Sequence, residues 1–311
     1  MTIIDSHSHL WLRQDTEWNG MKIYTCDGNA SRSLFLGNEV QMLPPFMIDG
    51  RNTAEVFLSN MDYAQVSAAV VVQEFIDGLQ NEYLATVANS YPQRFIVCGM
   101  ADYLQPEFFN QAETLISQGF RGMAIPGHRL LGRSLVDDQM MRMFHLMEER
   151  DVFLSITLAD GDSQVSELAE VVAECPALRI AIGHLGMANP PETAPWQNPS
   201  WKRQILLARN PNVMVETGGI TWLYNSEFYP FPSAVRAIRE ASDLVGMDHL
   251  MWGSDYPRTI TAITYRMSYD FILKSKGLTD DEKQMFLGGN ALRFYSLGKF
   301  DELPYIKNMS E

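Results

Sequence analysis

Short apolar runs alternate with stretches of helical periodicity eight times along this chain. Several runs are almost continuously apolar, as in Ala-Ala-Val-Val-Val at 68–72, which is typical of strands covered on both faces and therefore of a parallel sheet. The predicted strands are residues 2–5, 68–73, 95–100, 122–125, 152–158, 179–183, 213–217 and 249–253. Helices are predicted over residues 54–63, 80–90, 107–118, 138–149, 164–173, 201–209, 233–242 and 261–274.

Eight strands, each followed by a helix, within about 300 residues predict an α/β fold of the (β/α)8 TIM-barrel type. Residues 279–296 open with Thr-Asp-Asp-Glu, a capping-box pattern, and predict an extra C-terminal helix. A doubly wound open sheet is the alternative, but such sheets usually carry a glycine-rich turn after the first strand. Here that turn reads Asp-Ser-His-Ser-His. No linker-like stretch divides the chain, so we predict one domain over residues 1–311.

Two stretches are longer than ordinary loops. Residues 10–51 show little periodicity, and residues 187–200 are rich in Pro, Asn and Trp. Both follow strands, so we expect them at the mouth of the barrel, where long loops act as lids or substrate walls. Plain surface insertions are the alternative.

The charge balance excludes some partners. The net charge is −14, from 38 acidic and 24 basic residues, and so acidic a surface repels nucleic acid and anionic lipid. A local cluster of Arg or His can still bind a small anionic or sugar-like substrate. The three cysteines lie far apart, and the chain shows no signal sequence and no apolar run of about 20 residues, so we expect a cytoplasmic location. The sequence is also compatible with a homo-oligomer.

The pair His7 and His9 is the sharpest chemical signal. Side chains alternate along a strand, so both imidazoles point to the same side at the end of the first strand. Two imidazoles at this spacing can hold one divalent cation or one substrate oxygen. A structural histidine pair is the alternative.

Asp255 and His184 follow two other predicted strands. Asp255 ends the eighth strand, which pairs with the first in a closed barrel, so its carboxylate can reach whatever the histidine pair holds and can move a proton. His184 follows the sixth strand, where it could polarise a carbonyl or orient a water, and the flanking glycines would let substrate approach the backbone closely. For Asp255 the alternative is a turn-forming role, and for His184 a hydrogen-bonded core position.

Weaker candidates surround these residues. We expect substrate contacts from Glu74, His128, Arg129, Tyr256 and Arg258, all of which follow strands at the predicted mouth. Arginine offers a planar pair of donors that matches a carboxylate, although surface ion pairs are equally compatible with these positions. Trp222 could line the pocket or cover the barrel edge.

Taken together, these motifs resemble the amidohydrolase superfamily, in the amidohydrolase-related branch that contains sugar-acid and dicarboxylate lactonases and metal-dependent decarboxylases. The resemblance covers nearly the whole chain. It is carried by Ile-Asp-Ser-His-Ser-His-Leu-Trp at 4–11, Gly-Phe-Arg-Gly at 119–122, Gly-His-Leu-Gly at 183–186, Asn-Pro-Asn-Val at 210–213, Trp-Gly-Ser-Asp-Tyr-Pro at 252–257 and Gly-Gly-Asn-Ala at 288–291. It implies that His7, His9 and Asp255 bind a divalent metal, with His184 beside them.

The chain departs from the family's pattern at one expected metal ligand. The family's metal-dependent members usually carry a histidine at the end of the fifth strand, where this chain has Thr157. Three protein ligands suffice for a catalytic zinc, and Glu74 could be a fourth. One zinc or manganese ion is therefore expected, with a metal-free enzyme as the alternative. If the strand count were wrong by one, His184 would be the missing ligand.

The resulting hypothesis is a hydrolase that opens a small lactone of a sugar acid or of an aromatic-degradation intermediate. Activated water attacks the carbonyl, Asp255 transfers the proton, and His184 with the His7/His9 centre polarises the carbonyl oxygen. Metal-dependent decarboxylation of an unsaturated or aromatic acid is an alternative. A barrel that has lost its chemistry and only binds a ligand is another.

Overall fold

Eight parallel strands surround one core, in the order predicted from the sequence. The computed structural model describes residues 1–159, 161–187 and 195–311. In chain order the elements that form the eight-stranded sheet are β1 (Ile4–Ser8), β6 (Ala68–Val71), β7 (Phe95–Gly99), β8 (Gly122–Pro126), β9 (Phe153–Thr157), β10 (Ile180–Ile182), β11 (Val213–Glu216) and β12 (Leu250–Met251). Each pairs in parallel with the next, so every predicted strand is confirmed.

The seam between the last and the first strand determines where the site lies. The backbone N–H of Ser6 donates to Trp252 O at 2.9 Å, and that of Asp255 donates to His7 O at 2.9 Å. Ser8 and Tyr256 form a parallel bridge. The residues after β12 therefore run beside β1, and the sheet curves into the barrel expected from the alternating pattern.

Helices cover the outside of the barrel. They span Ala54–Ala64, Asn81–Ser90, Phe108–Ser117, Asp138–Glu149, Ser163–Glu174, Pro199–Leu206, Pro232–Val245 and Met267–Lys274. The short helix Ile220–Leu223 and the turn at His184–Met187, which has left-handed backbone at its first three residues, lie at the mouth instead. Apolar faces such as Met140, Met143, Phe144 and Met147 are buried against the sheet. The predicted loop 187–200 lies partly outside the described residues, and its end forms a turn at Pro195–Gln197. No helix in the described residues is long and apolar enough to cross a membrane.

The C-terminal segment, for which the sequence predicts one extra helix over residues 279–296, closes the bottom of the barrel. Instead it forms helix Asp280–Gln284, a π-turn at Met285–Gly289 and helix Asn290–Phe294. The capping box is present, because the Thr279 side chain accepts from the Glu282 N–H and Glu282 accepts from the Thr279 N–H. Phe294 and Tyr295 pack beneath the barrel interior, edge-on to Phe153.

The first long insertion is not the irregular stretch expected from the sequence. It contains a four-stranded antiparallel sheet of β2 (Thr16–Trp18), β3 (Met21–Thr25), β4 (Arg32–Phe35) and β5 (Asn38–Gln41). Its outer turns have positive φ at both central residues, Asn19-Gly20 and Leu36-Gly37, which is the geometry of tight hairpins. The strands are too short and too exposed for a period-2 apolar pattern, although Asn-Gly is a hairpin signal that the sequence does contain.

Candidate active site

A cavity of about 350 Å³ opens at the carboxyl ends of the barrel strands. Its floor carries the histidines of the first strand, and further strand ends contribute Glu74, His184 and Asp255. The insertion forms part of its wall, through Phe35, Val40, Gln41 and Met42. This is the face on which TIM barrels place their chemistry, and the volume suits a small ligand.

Three candidate ligands from the two ends of the chain converge in this cavity. The Nε2 atoms of His7 and His9 are 3.1 Å apart. Asp255 Oδ1 lies 3.2 Å from His9 Nε2 and 3.7 Å from His7 Nε2. The spacing of His-x-His on a strand and the seam of the barrel together account for this cluster.

Each of the two imidazoles is held from behind by a buried carboxylate. His7 Nδ1 lies 2.8 Å from Glu216 Oε1, and His9 Nδ1 lies 2.7 Å from Asp77 Oδ2. Because a carboxylate only accepts hydrogen bonds, Nδ1 carries a proton in each ring, and the Nε2 atoms, which face each other and Asp255, are the positions that give up a proton when a cation binds. Carboxylate–histidine pairs of this kind orient metal ligands, so the donor set fits a divalent ion.

The electrostatics of the cluster agree with this geometry. Burial lowers the pKa of His7 and of His9, but the Glu216 charge behind His7 and the Asp77 charge behind His9 more than offset it, and both pKa values are raised. Burial opposes ionisation of Asp255, yet the hydrogen bond from His9 and the surrounding histidine charges hold its pKa well below the usual range. The cluster is therefore an electronegative centre that favours a cation.

The Glu216 side chain packs against glycines, where a larger residue would clash with it. A Cβ on Gly183 would lie 2.9 Å from Glu216 Oε1, and one on Gly253 would lie 2.7 Å from both Glu216 Oε2 and His7 Cβ. The sequence suggested that the glycines beside His184 admit substrate to the backbone. In the structure Gly183 faces Glu216, and a Cβ on Gly186 would collide with Gln204, so both serve internal packing.

His184 follows the sixth barrel strand, as counted from the sequence, so it does not replace a fifth-strand ligand. Its Nδ1 lies 2.7 Å from Gly218 O, and its ring centroid is 4.6 Å from that of His7. Burial and the nearby His7 charge lower its pKa. Its φ of 55° lies in the left-handed region, as does that of Asp255 at 58°. Strained backbone at non-glycine residues tends to concentrate at functional sites.

Trp222 connects Asp255 to the upper wall of the cavity. Its indole N–H donates to Asp255 Oδ2, while Oδ1 faces the histidine pair. The guanidinium of Arg258 lies over the Trp222 ring, 3.7 Å from its centroid. Of the two positions the sequence allowed for Trp222, the structure shows the pocket-lining one.

Glu74, His128 and Arg129 line the other side of the cavity. Arg129 Nε donates to Glu74 Oε1 at 3.1 Å, so the two charges pair. Desolvation and the Arg129 charge lower the pKa of His128 to about 4. Within the described residues, Glu74 does not belong to the group of ligand atoms around His7. The structure therefore does not place it as a fourth ligand.

Tyr256 is the one expected substrate contact that the structure places elsewhere. Its side chain is fully buried and stacks on Phe57, with ring centroids 3.9 Å apart, instead of lining the cavity. Asp255 points into the cavity, whereas Tyr256 points to the outside of the barrel, where Phe57 of helix Ala54–Ala64 covers it. Tyr256 therefore packs between barrel and helices.

Sequence reasoning missed Asp77 and Glu216. Glu216 ends the otherwise apolar strand Val-Met-Val-Glu. An acidic residue at the end of such a strand is a sequence signal from which Glu216 could have been predicted as a site residue. Asp77 lies in a short turn after β6 and had no comparable signal. Thr157, the position at which the resemblance to metal-dependent members led us to expect a histidine, lines the cavity.

The fold and the site define a (β/α)8 barrel with a His-His-Asp donor cluster at its mouth. The Amidohydrolase family model matches residues 4–297, and the chain belongs to this family, as the motifs suggested.

Known proteins are similar to this chain in sequence or in fold. L-fucono-1,5-lactonase of Burkholderia ambifaria is 27% identical over 247 residues, covering 75% of this chain and 81% of that protein. A probable 2-pyrone-4,6-dicarboxylic acid hydrolase from Acinetobacter baumannii, solved with citric acid bound, has a TM-score of 0.72 at 19% identity and covers 96% of this chain and 100% of that one. An amidohydrolase from Burkholderia multivorans with bound zinc has a TM-score of 0.68 at 19% identity, over 96% and 100% of the two chains.

Proposed function

We propose that this protein is a hydrolase that opens a small lactone. The observation that carries the proposal is the convergence of the His7 and His9 Nε2 atoms with Asp255 Oδ1 at the floor of the cavity. The named activity of the Burkholderia ambifaria relative, a sugar-acid lactonase, supports this substrate class. The name of the Acinetobacter structure supports a lactone of an aromatic-degradation intermediate as the other member of the class.

His7, His9 and Asp255 would hold one divalent ion, and their imidazole and carboxylate donors suit zinc or manganese. The zinc bound in the Burkholderia multivorans protein supports this assignment. When bound, the ion supplies Lewis acidity toward a carbonyl oxygen and makes a water more acidic. With Thr157 in place of a histidine, the protein supplies three ligands.

His184 orients the attacking water. Because the Gly218 carbonyl can only accept, His184 Nδ1 carries the proton and the neutral ring has its lone pair on Nε2. Neutral His184 therefore accepts a hydrogen bond from water and does not donate one to the substrate carbonyl. Of the two roles that the sequence allowed, this tautomer favours orienting the water over polarising the carbonyl.

Asp255 transfers the proton. Its carboxylate is ionised, and the Trp222 indole fixes its orientation by donating to Oδ2. It accepts a proton as the water oxygen bonds to the carbonyl carbon. It returns that proton to the ring oxygen as the bond from carbon to that oxygen breaks, which yields a hydroxy acid.

The cavity walls select an anionic or sugar-like substrate. Arg258 has no ion-pair partner among the described residues, whereas Arg129 is paired with Glu74. Arg258 is therefore the stronger candidate for binding a substrate carboxylate, and His128, neutral near pH 7, can hydrogen-bond a hydroxyl. Glu74 acts through Arg129.

The test is hydrolysis of a panel of sugar-acid and pyrone lactones by the purified protein, followed by proton release with a pH indicator in weak buffer. Matched amides are the comparison. We expect lactone opening to be faster than amide hydrolysis. Carbon dioxide release from an aromatic acid, without lactone opening, would favour the decarboxylase. Binding without any turnover would favour the inactive barrel. Activity that survives complete metal removal would refute the role given to the ion.

A further inference from the structure

A second group of metal-type side chains lies on the opposite side of the molecule from the cavity. His145, Glu148 and Cys175 each offer one ligand atom, and these atoms all lie within 4.8 Å of one another. Within the described residues this group and the His7 cluster are the two that meet this condition. Helix ends and strand starts surround it, which places it at the amino-terminal face of the barrel.

The first two residues share one helix face. His145 and Glu148 are three residues apart near the end of helix Asp138–Glu149, and residues at this spacing are neighbours on a helix surface. Cys175 comes from the next helix, directly after Glu174. Metal binding here would join two helices that are separate in sequence.

The distances suit a tetrahedral ion. Cys175 Sγ lies 3.4 Å from His145 Nδ1. Zinc–sulfur and zinc–nitrogen bonds of ordinary length put the two ligand atoms about 3.6 Å apart. Glu148 Oε1 accepts the backbone N–H of Ala177 at 2.6 Å, which fixes the carboxylate and leaves its second oxygen for a ligand.

The electrostatic setting favours a cation. Both helices end here, and helix carboxyl ends carry partial negative charge. Burial, Glu148 and Glu174 raise the pKa of the Cys175 thiol to about 11, so without a cation it stays protonated. His145 is exposed, which gives an ion a path from solvent.

We infer that His145, Glu148 and Cys175 form a second metal site, a structural one for a thiophilic divalent cation such as zinc. A sulfur–metal bond forms as the thiol proton leaves to solvent, while His145 and Glu148 add their lone pairs. The site fastens helix Asp138–Glu149 to the turn after helix Ser163–Glu174 and takes no part in the reaction at the mouth.

Cobalt(II) titration of the full-length protein tests this. Thiolate ligation of cobalt gives a charge-transfer band in the near ultraviolet, which the nitrogen and oxygen donors of the His7 cluster cannot produce. We expect cobalt to generate the band within two equivalents in wild type, where the His7 cluster competes for the metal, and within one equivalent in the His7→Ala/His9→Ala variant. The band should be lost in Cys175→Ser and retained in Cys26→Ser, the matched cysteine control.

His145→Gln covers the case in which Cys175→Ser fails to fold, because this side chain is exposed. We expect it to weaken cobalt binding about 10- to 100-fold, the range that even supporting residues of metal sites reach. Zinc should raise the Tm of wild type and of the His7→Ala/His9→Ala variant. It should raise the Tm of His145→Gln by a smaller amount. Absence of the band in wild type at saturating cobalt, its persistence in Cys175→Ser, or unchanged affinity in His145→Gln would overturn the inference.

Discussion

The rim of the barrel and the inserted sheet both face the cavity, but they are built differently. His7, Glu216 and Asp255 are each less than 5% exposed, and strand pairing and hydrogen bonds between side chains hold them. In the insertion, Leu34 is 46% and Leu36 is 60% exposed. The insertion is attached through contacts such as the stack of Trp18 on Phe75, with ring centroids 4.4 Å apart.

This difference indicates that the two regions have different roles in binding and reaction. Reacting groups need placement within a fraction of an ångström, which rigid strand ends provide. Walls that contact the remote parts of a substrate tolerate change, and insertions supply them. Damage at the rim should therefore reduce the rate of the reaction, whereas damage to the insertion should weaken substrate binding.

Asp255→Asn should have the largest effect. The amide keeps the shape but cannot accept the proton, so we expect kcat to fall by about 10²–10⁴-fold with the circular dichroism spectrum unchanged. Asp248→Asn, on an exposed residue just before the same strand, is the control and should be as active as wild type. Asp255→Asn with more than half of the wild-type kcat would contradict the assignment.

His7→Ala together with His9→Ala should abolish uptake of metal at the mouth, because two of the three ligands are removed. Elemental analysis after dialysis against zinc or manganese measures this, with Cys175→Ser as the background so that the second site does not contribute. His249→Ala, whose ring contacts a backbone carbonyl of β11, is the matched control. One equivalent still bound in the triple variant would place the ion elsewhere.

Glu216→Gln should lower both kcat and metal affinity, each by about 10- to 100-fold. The backbone N–H groups of His184 and Gly218 donate to the Glu216 carboxylate, and the NH₂ group of glutamine would oppose one of these donors. Metal affinity separates this positioning role from a general loss of stability, which the Tm reports. If both affinity and kcat stay at wild-type values while the Tm falls, Glu216 is only structural.

Phe35→Ala should have the smallest effect, and it should change substrate binding alone. Loss of one aromatic contact at the cavity wall is worth about 1.4 kcal/mol, so we expect KM to rise about tenfold while kcat stays within about twofold. Leu34→Ala, on the exposed residue beside it, is the matched control. A large loss of kcat in Phe35→Ala would show that the insertion also positions the reacting groups, and the comparison between the two regions would fail.

Local patterns in the sequence predicted the barrel and the core of the site. Apolar runs and helical periodicity are properties of neighbouring residues, so all eight strands could be predicted. His7 and His9 share a side by strand alternation alone. The place of Asp255 followed from one further rule, that the last strand of a barrel pairs with the first. The metal-binding and catalytic roles of these residues stay predictions for the experiments above.

Only the tertiary structure decided what surrounds those residues. The carboxylates that fix the tautomers of His9 and His7 lie 68 and 209 positions away along the chain, and no local pattern connects them. Tyr256 follows Asp255 directly but packs on Phe57, on the side away from the cavity. Periodicity determines which side of an element a residue occupies. Which groups meet there depends on the closure of the barrel, which brings distant strand ends within hydrogen-bonding distance.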